Sequence, residues 1–275
     1  MRRSATGGLA EARERLRPYI ERARGFSGWS LADVAPRPIG PEAPWDYRGR
    51  AADLIRYADA VLDMGTGGGE IFAELCRGHR GRMVATEPWH VNAPIARSRL
   101  SPLRVEVVRA HSLHLPFRND AFDLVLNRHE ELDPAEVGRV LAPGGVLLTQ
   151  QVGRNDWKEL RTFIPRMQEF GPLFERYVSG FERAGMKIVR SETHDTRVAY
   201  RGLGELVYMF RVAPWTIPEF DPLGRDLDAL LRLEERLTAE GELVLTESRF
   251  LIEASKPSEG ATTPPRQAKR DADRL

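Results

Sequence analysis

Val61-Leu62-Asp63-Met64-Gly65-Thr66-Gly67-Gly68-Gly69-Glu70 is a short apolar run that ends in an acid, followed by glycines at alternate positions and then by helix-forming sequence. Gly65, Gly67 and Gly69 remove side chains where a backbone turns sharply against a ligand, and the helix that follows aims unpaired N–H groups at the same place. That is a nucleotide-type pocket. A dinucleotide fingerprint has a third glycine where this chain has Glu70, and Asp63 would repel a pyrophosphate. No Gly-Lys-Ser/Thr follows, which excludes a Walker-type phosphate loop. A carboxylate in a partly desolvated site instead attracts a cation, such as an ammonium or a sulfonium. Arg82 to Glu87 is a second apolar strand ending in an acid, and Glu87 is spaced from the turn as a carboxylate that chelates two ribose hydroxyls.

Three further blocks follow in order: Leu113-His114-Leu115-Pro116-Phe117, Asn119-Asp120-Ala121-Phe122-Asp123-Leu124-Val125-Leu126, and Arg139-Val140-Leu141-Ala142-Pro143-Gly144-Gly145. With them the sequence resembles the class I S-adenosylmethionine (SAM)-dependent methyltransferases of the type related to ubiquinone/menaquinone-biosynthesis enzymes. The resemblance runs from roughly Tyr57 to Gly153 and rests on all the blocks together, since a lone glycine turn is a common false positive. It implies a Rossmann-like α/β fold with a seven-stranded, mostly parallel sheet and helices on both faces. It also implies SAM as cofactor, held by Asp63, Gly65, Thr66, Gly67, Gly69, Glu87, His111, Ser112 and Asn127. One position departs from the family, which usually carries an acid for the adenine amino group where this chain has His111 followed by Ser112. A neutral imidazole can accept that bond through one nitrogen. His111 and His114 have no third ligand nearby and the chain has one cysteine, Cys76, so no metal site is expected.

Methyl transfer is an in-line displacement, for which a protein must hold the nucleophile close, align it and remove its proton. In open α/β sheets ligands sit at the carboxyl ends of the strands, so the strand Phe122 to Asn127 delivers Asn127-Arg128-His129-Glu130-Glu131 to the transferred methyl. Some amino-group methyltransferases have Asn or Asp, two prolines and an aromatic here. This chain has only the Asn, and a nitrogen acceptor is not indicated. His129 is the expected base, with an ordinary pKa near 6.5, and Glu130 its support; the alternative is that both orient loops or cap a helix.

The elements that must position these groups alternate from Ala60 to Gln151, the pattern of a parallel sheet with helices on both faces. Val61–Met64, Met83–Glu87, Val105–Arg109, Phe122–Asn127 and Val146–Gln151 read as the first five strands. Asp133 is the expected N-cap of the helix before the fifth, with Pro134 at its first position. Leu9, Ala12, Leu16, Tyr19, Ile20 and Ala23 recur at helical spacing, so a helix or helix pair opens the chain, kinked or divided at Pro18. A connector anchored by Trp29 and Leu31 follows. Trp45 and Tyr47, just before a helix over 48–58, are candidate pocket residues, with packing onto the core as the alternative.

Beyond Gln151, Trp157 to Phe170 reads as helical, Phe174 to Ala184 as a helix and Lys187 to Thr193 as the sixth strand. The last strand falls within Glu242 to Glu253. About fifty residues separate the two, far beyond usual loop lengths. The helical composition of that insert makes it a cover for the acceptor, with Tyr208 and Trp215 as candidate walls; the alternative is a core extension or a homodimer contact. The expected domains are residues 1–56 as a helical extension, 57–254 as the SAM-binding domain with its insert over about 196–240, and 255–275 as a polar, disordered tail.

The hydrophobic share of 41% suits a sizeable core, and the formal charge of +1 supplies no global field for nucleic acid. No apolar run approaches a membrane span and none follows Arg2 and Arg3, so the expected setting is cytoplasmic and away from membranes. A small-molecule acceptor, methylated at oxygen, is the main reading. An RNA methyltransferase is the first alternative, with Arg13, Arg15, Arg17, Arg22 and Arg24 as a modest basic patch. A SAM-binding protein that does not methylate, such as a pericyclic-type enzyme, is the second.

Overall fold

The computed structural model describes residues 5–169 and 171–258. The opening segment is one helix, α1 (Ala5–Arg24), with Pro18 inside it rather than between two helices. Its buried stripe of Ala12, Leu16 and Ile20 has helical spacing. A two-residue strand β1 (Arg37–Pro38) and α2 (Tyr47–Ile55) lead to β2 (Ala60–Met64), whose Val61, Leu62 and Met64 are fully buried. A strand covered on both faces reads as a continuous apolar run, which is why this one was legible. Then come α3 (Glu70–Leu75), β3 (Arg82–Thr86), α4 (Asn92–Leu100), β4 (Val105–Val108), β5 (Phe122–Arg128), α5 (Pro134–Val140) and β6 (Leu141–Val152). Asp133 caps α5, its Oδ1 accepting the Ala135 N–H at 3.0 Å, and Pro134 sits where no N–H is needed.

The chain continues with α6 (Leu173–Arg183), β7 (Lys187–Tyr200), α7 (Leu203–Val212), α8 (Leu227–Leu237), a two-residue β8 (Thr238–Ala239) and β9 (Glu242–Ser255). Among the described residues nine strands form one sheet in the order β1-β7-β9-β6-β5-β2-β3-β4, with β8 paired to β9. The pairs joining β4, β3, β2, β5 and β6 are parallel; those of β9 with β6 and β7, and of β7 with β1, are antiparallel. The two strands beyond the expected seven are the short β1 and β8, each added to the long β7–β9 pair.

Three expectations need correction. The sixth strand does not stop near Thr193: β7 and β9 pair as far as Tyr200 with Leu243, carrying the hairpin beyond the rest of the sheet, so the insert begins after Tyr200. Trp157 onward is not a regular helix, but a 3₁₀ turn at Lys158–Thr162 and irregular chain; Phe170 lies outside the described residues. The start of the supposed tail is ordered. Ser255 ends β9, the Lys256 N–H donates to Gly145 O at 2.9 Å, and its Nζ pairs with Asp120 at 2.7 Å. Residues 259–275 of the expected tail lie outside the described residues.

Apolar side chains cover both faces of the sheet, from α2, α3 and α4 on one side and α5 and α6 on the other. A further core stands beyond the carboxyl end of β6, where Leu16 and Ile20 of α1 meet Leu206 and Phe210 of α7, Leu230 and Leu233 of α8, and Leu160 and Ile164. The insert is therefore one part of a cap that also takes in the first helix. Arg15 of α1 pairs with Glu234 of α8 at 2.6 Å, and Arg13 Nε donates to Leu223 O at 2.9 Å.

Candidate active site

β2 ends at Met64, and the turn that follows holds Gly65, Gly67 and Gly69 at φ of 69°, 64° and 77°, a region other residues enter only with strain. Hydrogen bonds bind this turn to the end of β3. The Thr66 N–H donates to Thr86 O at 2.9 Å. The Gly67 N–H donates to Glu87 Oε2 at 2.7 Å, and the Trp89 N–H to Glu87 Oε1 at 2.9 Å. Glu87 is buried, which raises its pKa against the pull of those two N–H groups. Burial likewise pushes Asp63 up to about 7, with the charge of Glu87 adding to the effect.

On the other side of β2, Asn127 lies between Met64 and Thr149 in the sheet and is fully buried. Its Oδ1 accepts the Thr149 hydroxyl at 2.8 Å and the Gln151 Nε2–H at 2.5 Å. Gln151 Nε2 also donates to Glu130 O at 2.9 Å. His129 then takes φ of 64°, its N–H bonded to Gln150 O at 2.9 Å. That left-handed residue ends the strand and turns the chain back, so that Glu130 lies on the glycine turn. A methyl group at Gly65 would collide with Glu130 Cβ and Cγ. Burial, with Glu87 and Glu131, raises the Glu130 carboxyl to about 7. The ring of His129 keeps an open face, yet the protein crowded around it, with Arg249 and Arg128, holds its pKa well below the ordinary value. Tyr47 is buried with its phenol near Asp63, Arg128 and the backbone of Asn127. Trp45 Nε1 donates to Gln150 Oε1 at 2.8 Å, and its ring meets His194 edge-on at 6.2 Å.

The cap reaches this place through Trp29. Its indole rests on Gly67, where a methyl group would overlap Trp29 Cδ1, and it lies 5.9 Å from the ring of Trp215. The Gly28 N–H donates to the buried Asn92 Oδ1 at 2.7 Å, which holds the connector against α4. Trp215 therefore stands over the glycine turn by way of Trp29. Tyr208 does not line a cleft: its ring is buried against Phe26 at 6.2 Å and under the Arg22 guanidinium at 4.4 Å, which makes it a packing residue between α1 and α7. His111 is exposed beyond β4, while the adjacent Ser112 is buried.

Five buried polar atoms about this place have no hydrogen-bond partner among the described residues: Thr66 Oγ1, Thr86 Oγ1, Asn92 Nδ2, Ser112 Oγ and Asn127 Nδ2. Such atoms cost free energy unless a ligand satisfies them. Ser112 Oγ, the side-chain-free surfaces of Gly65 and Gly67 and the carboxylates of Asp63 and Glu87 fit a nucleoside joined to a cationic amino-acid chain. Thr149, Gln151 and the seat of Trp29 on Gly67 were not apparent from sequence. The one signal for the first two is that β6 switches from Leu147-Leu148 to Thr149-Gln150-Gln151 at its carboxyl end.

Residues 61–145 match a family model described as a methyltransferase domain, and no curated protein matches the sequence. The fold is similar to that of a functionally unknown protein from Deinococcus radiodurans, at 16% identity and a TM-score of 0.58 over 87% of this chain and 99% of that one. It is similar to the [4+2]-cyclase SpnF at 17% identity and a TM-score of 0.53, over 88% of this chain and 93% of the other. A putative methyltransferase from Bacillus halodurans aligns at 18% identity and a TM-score of 0.51, over 76% of this chain and all of its own. The match over residues 61–145 identifies a methyltransferase domain there, and the sheet topology is the Rossmann-like α/β fold that SAM-dependent methyltransferases share.

Proposed function

We propose that the protein transfers a methyl group from SAM to an oxygen of a small-molecule acceptor. The observation that carries the reading is the pair of carboxylates about the glycine turn, the half-buried Asp63 near the end of β2 and the buried Glu87 bonded to the Gly67 N–H. When bound, SAM supplies a methyl group made electrophilic by its sulfonium. Glu87 keeps lone pairs for ribose hydroxyls, Asp63 offers its charge to the amino-acid end, and Ser112 Oγ is a partner for the nucleoside.

Proton removal passes from His129 to Glu130. A base works best with a pKa near the working pH. Glu130, at about 7 and lying on Gly65, meets that condition, whereas His129 is pulled well below its ordinary value by crowding and by Arg249 and Arg128. The five arginines of α1 give little support to an RNA reading: Arg13 and Arg15 bind the insert, Arg17 and Arg24 pair with Glu14 and Glu21, and Arg22 covers Tyr208. The chain's likeness to a [4+2]-cyclase keeps a non-methylating reading as the second one, since such folds host many chemistries. Incubation with isotopically labelled SAM and acceptor extracts, read by mass, decides between them. Labelled small molecules support the proposal; labelled RNA, or a SAM-requiring product without label, replaces it.

A further inference from the structure

Asn127 is the last buried polar side chain of β5, and which of its two amide atoms is left unpaired is fixed by its neighbours. Glu130 O is a backbone carbonyl and can only accept. The Gln151 amide atom 2.9 Å from it must be the NH₂ group. The same Nε2 faces Asn127, so the Asn127 atom it meets must be the oxygen, which also takes the Thr149 hydroxyl at 2.8 Å. A flip of Asn127 would set NH₂ against NH₂. The orientation is closed by a carbonyl that cannot reverse its role. What remains is Asn127 Nδ2, buried and without a partner among the described residues, a donor open to a bound ligand.

We infer that Asn127 is a locked hydrogen-bond donor to the methyl acceptor's nucleophilic atom, and that it selects oxygen over neutral nitrogen. The inference rests on the methyltransferase reading and moves Asn127 from the cofactor set to the acceptor. A hydroxyl oxygen has two lone pairs and one hydrogen. One pair attacks the methyl carbon, the other accepts from Asn127 Nδ2, and the hydrogen points to Glu130. As the O–C bond forms and the S–CH₃ bond breaks, sulfur keeps the bonding pair and the proton passes to the Glu130 carboxylate. A neutral amine has one lone pair. If that pair attacks, only N–H groups face Asn127, donor meets donor, and the Nδ2 stays buried and unpaired. A side chain free to flip would serve either acceptor; the Gln151 lock takes that freedom away.

The test uses the full chain saturated with S-adenosylhomocysteine and titrated with two probes of matched ring, para-nitrophenol and para-nitroaniline, followed by absorbance and calorimetry. The phenol should bind about tenfold more tightly, the effect of one hydrogen bond gained against a donor left unmade. Equal affinity, tighter aniline binding, or no binding of either probe overturns the inference. Gln151→Leu removes the group that bars the flip, since the Thr149 hydroxyl can donate or accept, and should bring the ratio close to one while its melting curve shows a folded protein. An unchanged ratio in a folded variant also counts against the lock. Asn127→Ala should keep S-adenosylhomocysteine affinity within about threefold; a loss of tenfold or more means that Nδ2 serves the cofactor, and the inference fails. A parent protein that binds no S-adenosylhomocysteine at all defeats the methyltransferase reading itself, a result distinct from each of these.

Discussion

Glu87 Oε2 accepts the N–H of Gly67 at 2.7 Å, so the acid that ends β3 clasps the turn that ends β2. The bond fixes the carboxylate before any ligand arrives and leaves the second oxygen on the Trp89 N–H at 2.9 Å. Glu87→Ala should therefore weaken SAM binding by roughly 1.5–3 kcal/mol, the range for hydrogen bonds to a charged group. Calorimetry on the folded variant checks this, and an unchanged affinity removes Glu87 from the site.

SAM affinity should rise with pH between about 6 and 8. Asp63 and Glu130 titrate near 7 in the protein without ligand, so near neutrality they are partly protonated, and a cationic ligand favours their ionised forms. Binding should release protons and strengthen as pH climbs through about 7, by at most about tenfold per unit for each coupled group. Calorimetry in buffers of different ionisation enthalpy reads the proton count directly; no release, or uptake, contradicts the assignment.

The same shift makes Asp63 a burden on the empty protein. Its folded pKa, about 7, exceeds the ordinary 3.8, so the folded form holds a proton the unfolded chain has lost and stability falls as pH rises from about 4 through about 7. Asp63→Asn should raise stability at pH 8 by about 1–2 kcal/mol while impairing SAM binding. Chemical denaturation at pH 5 and pH 8 is the measurement, and the gain should be smaller at the lower pH.

Trp29 rests on Gly67 and against Trp215, so it must shift for a ligand to reach the turn. Association of S-adenosylhomocysteine with the parent should reach a limiting rate at high ligand concentration, set by that opening, and Trp29→Ala should lift the limit by about tenfold or more. Stopped-flow tryptophan fluorescence, with Trp215→Phe as a second variant, follows the step. A linear concentration dependence in the parent shows that Trp29 does not gate entry.

Single-turnover methylation should rise with pH through an apparent pKa lower than the ligand-free value of about 7, because the bound cation favours the carboxylate, and lose that step in Glu130→Gln, with the rate down by roughly 10²-fold. His129→Ala should keep the step and stay within about tenfold of the parent rate, because its imidazole is already neutral at pH 7. The opposite pattern returns the base to His129.

The central parallel strands β2 and β5 were legible because both their faces are covered: Val61-Leu62 and Leu124-Val125-Leu126 are apolar runs that a buried strand explains. Asp133 and Pro134 announced α5 through local chemistry alone. The length of β7 was hidden, because from Lys187 to Arg197 its residues alternate between half-buried and exposed and carry many charges, a pattern that polar connecting chain shares. At the site, residue types showed where carboxylates and glycines fall along the chain. They did not show that Glu130 folds back onto Gly65, which depends on the left-handed turn at His129, nor that Tyr208 is spent on α1. Those facts are long-range packing, and no spacing rule carries them.

Because α1 and α7 share one core while Trp29 and Trp215 meet above one glycine, two stretches far apart in the chain are packed as a single unit. Grafting the insert of a relative into this protein would leave the first helix without its partner, and exchanging the first helix alone would do the same to the insert. Any attempt to redesign the range of acceptors must exchange both together, as one module that the chain happens to encode in two places.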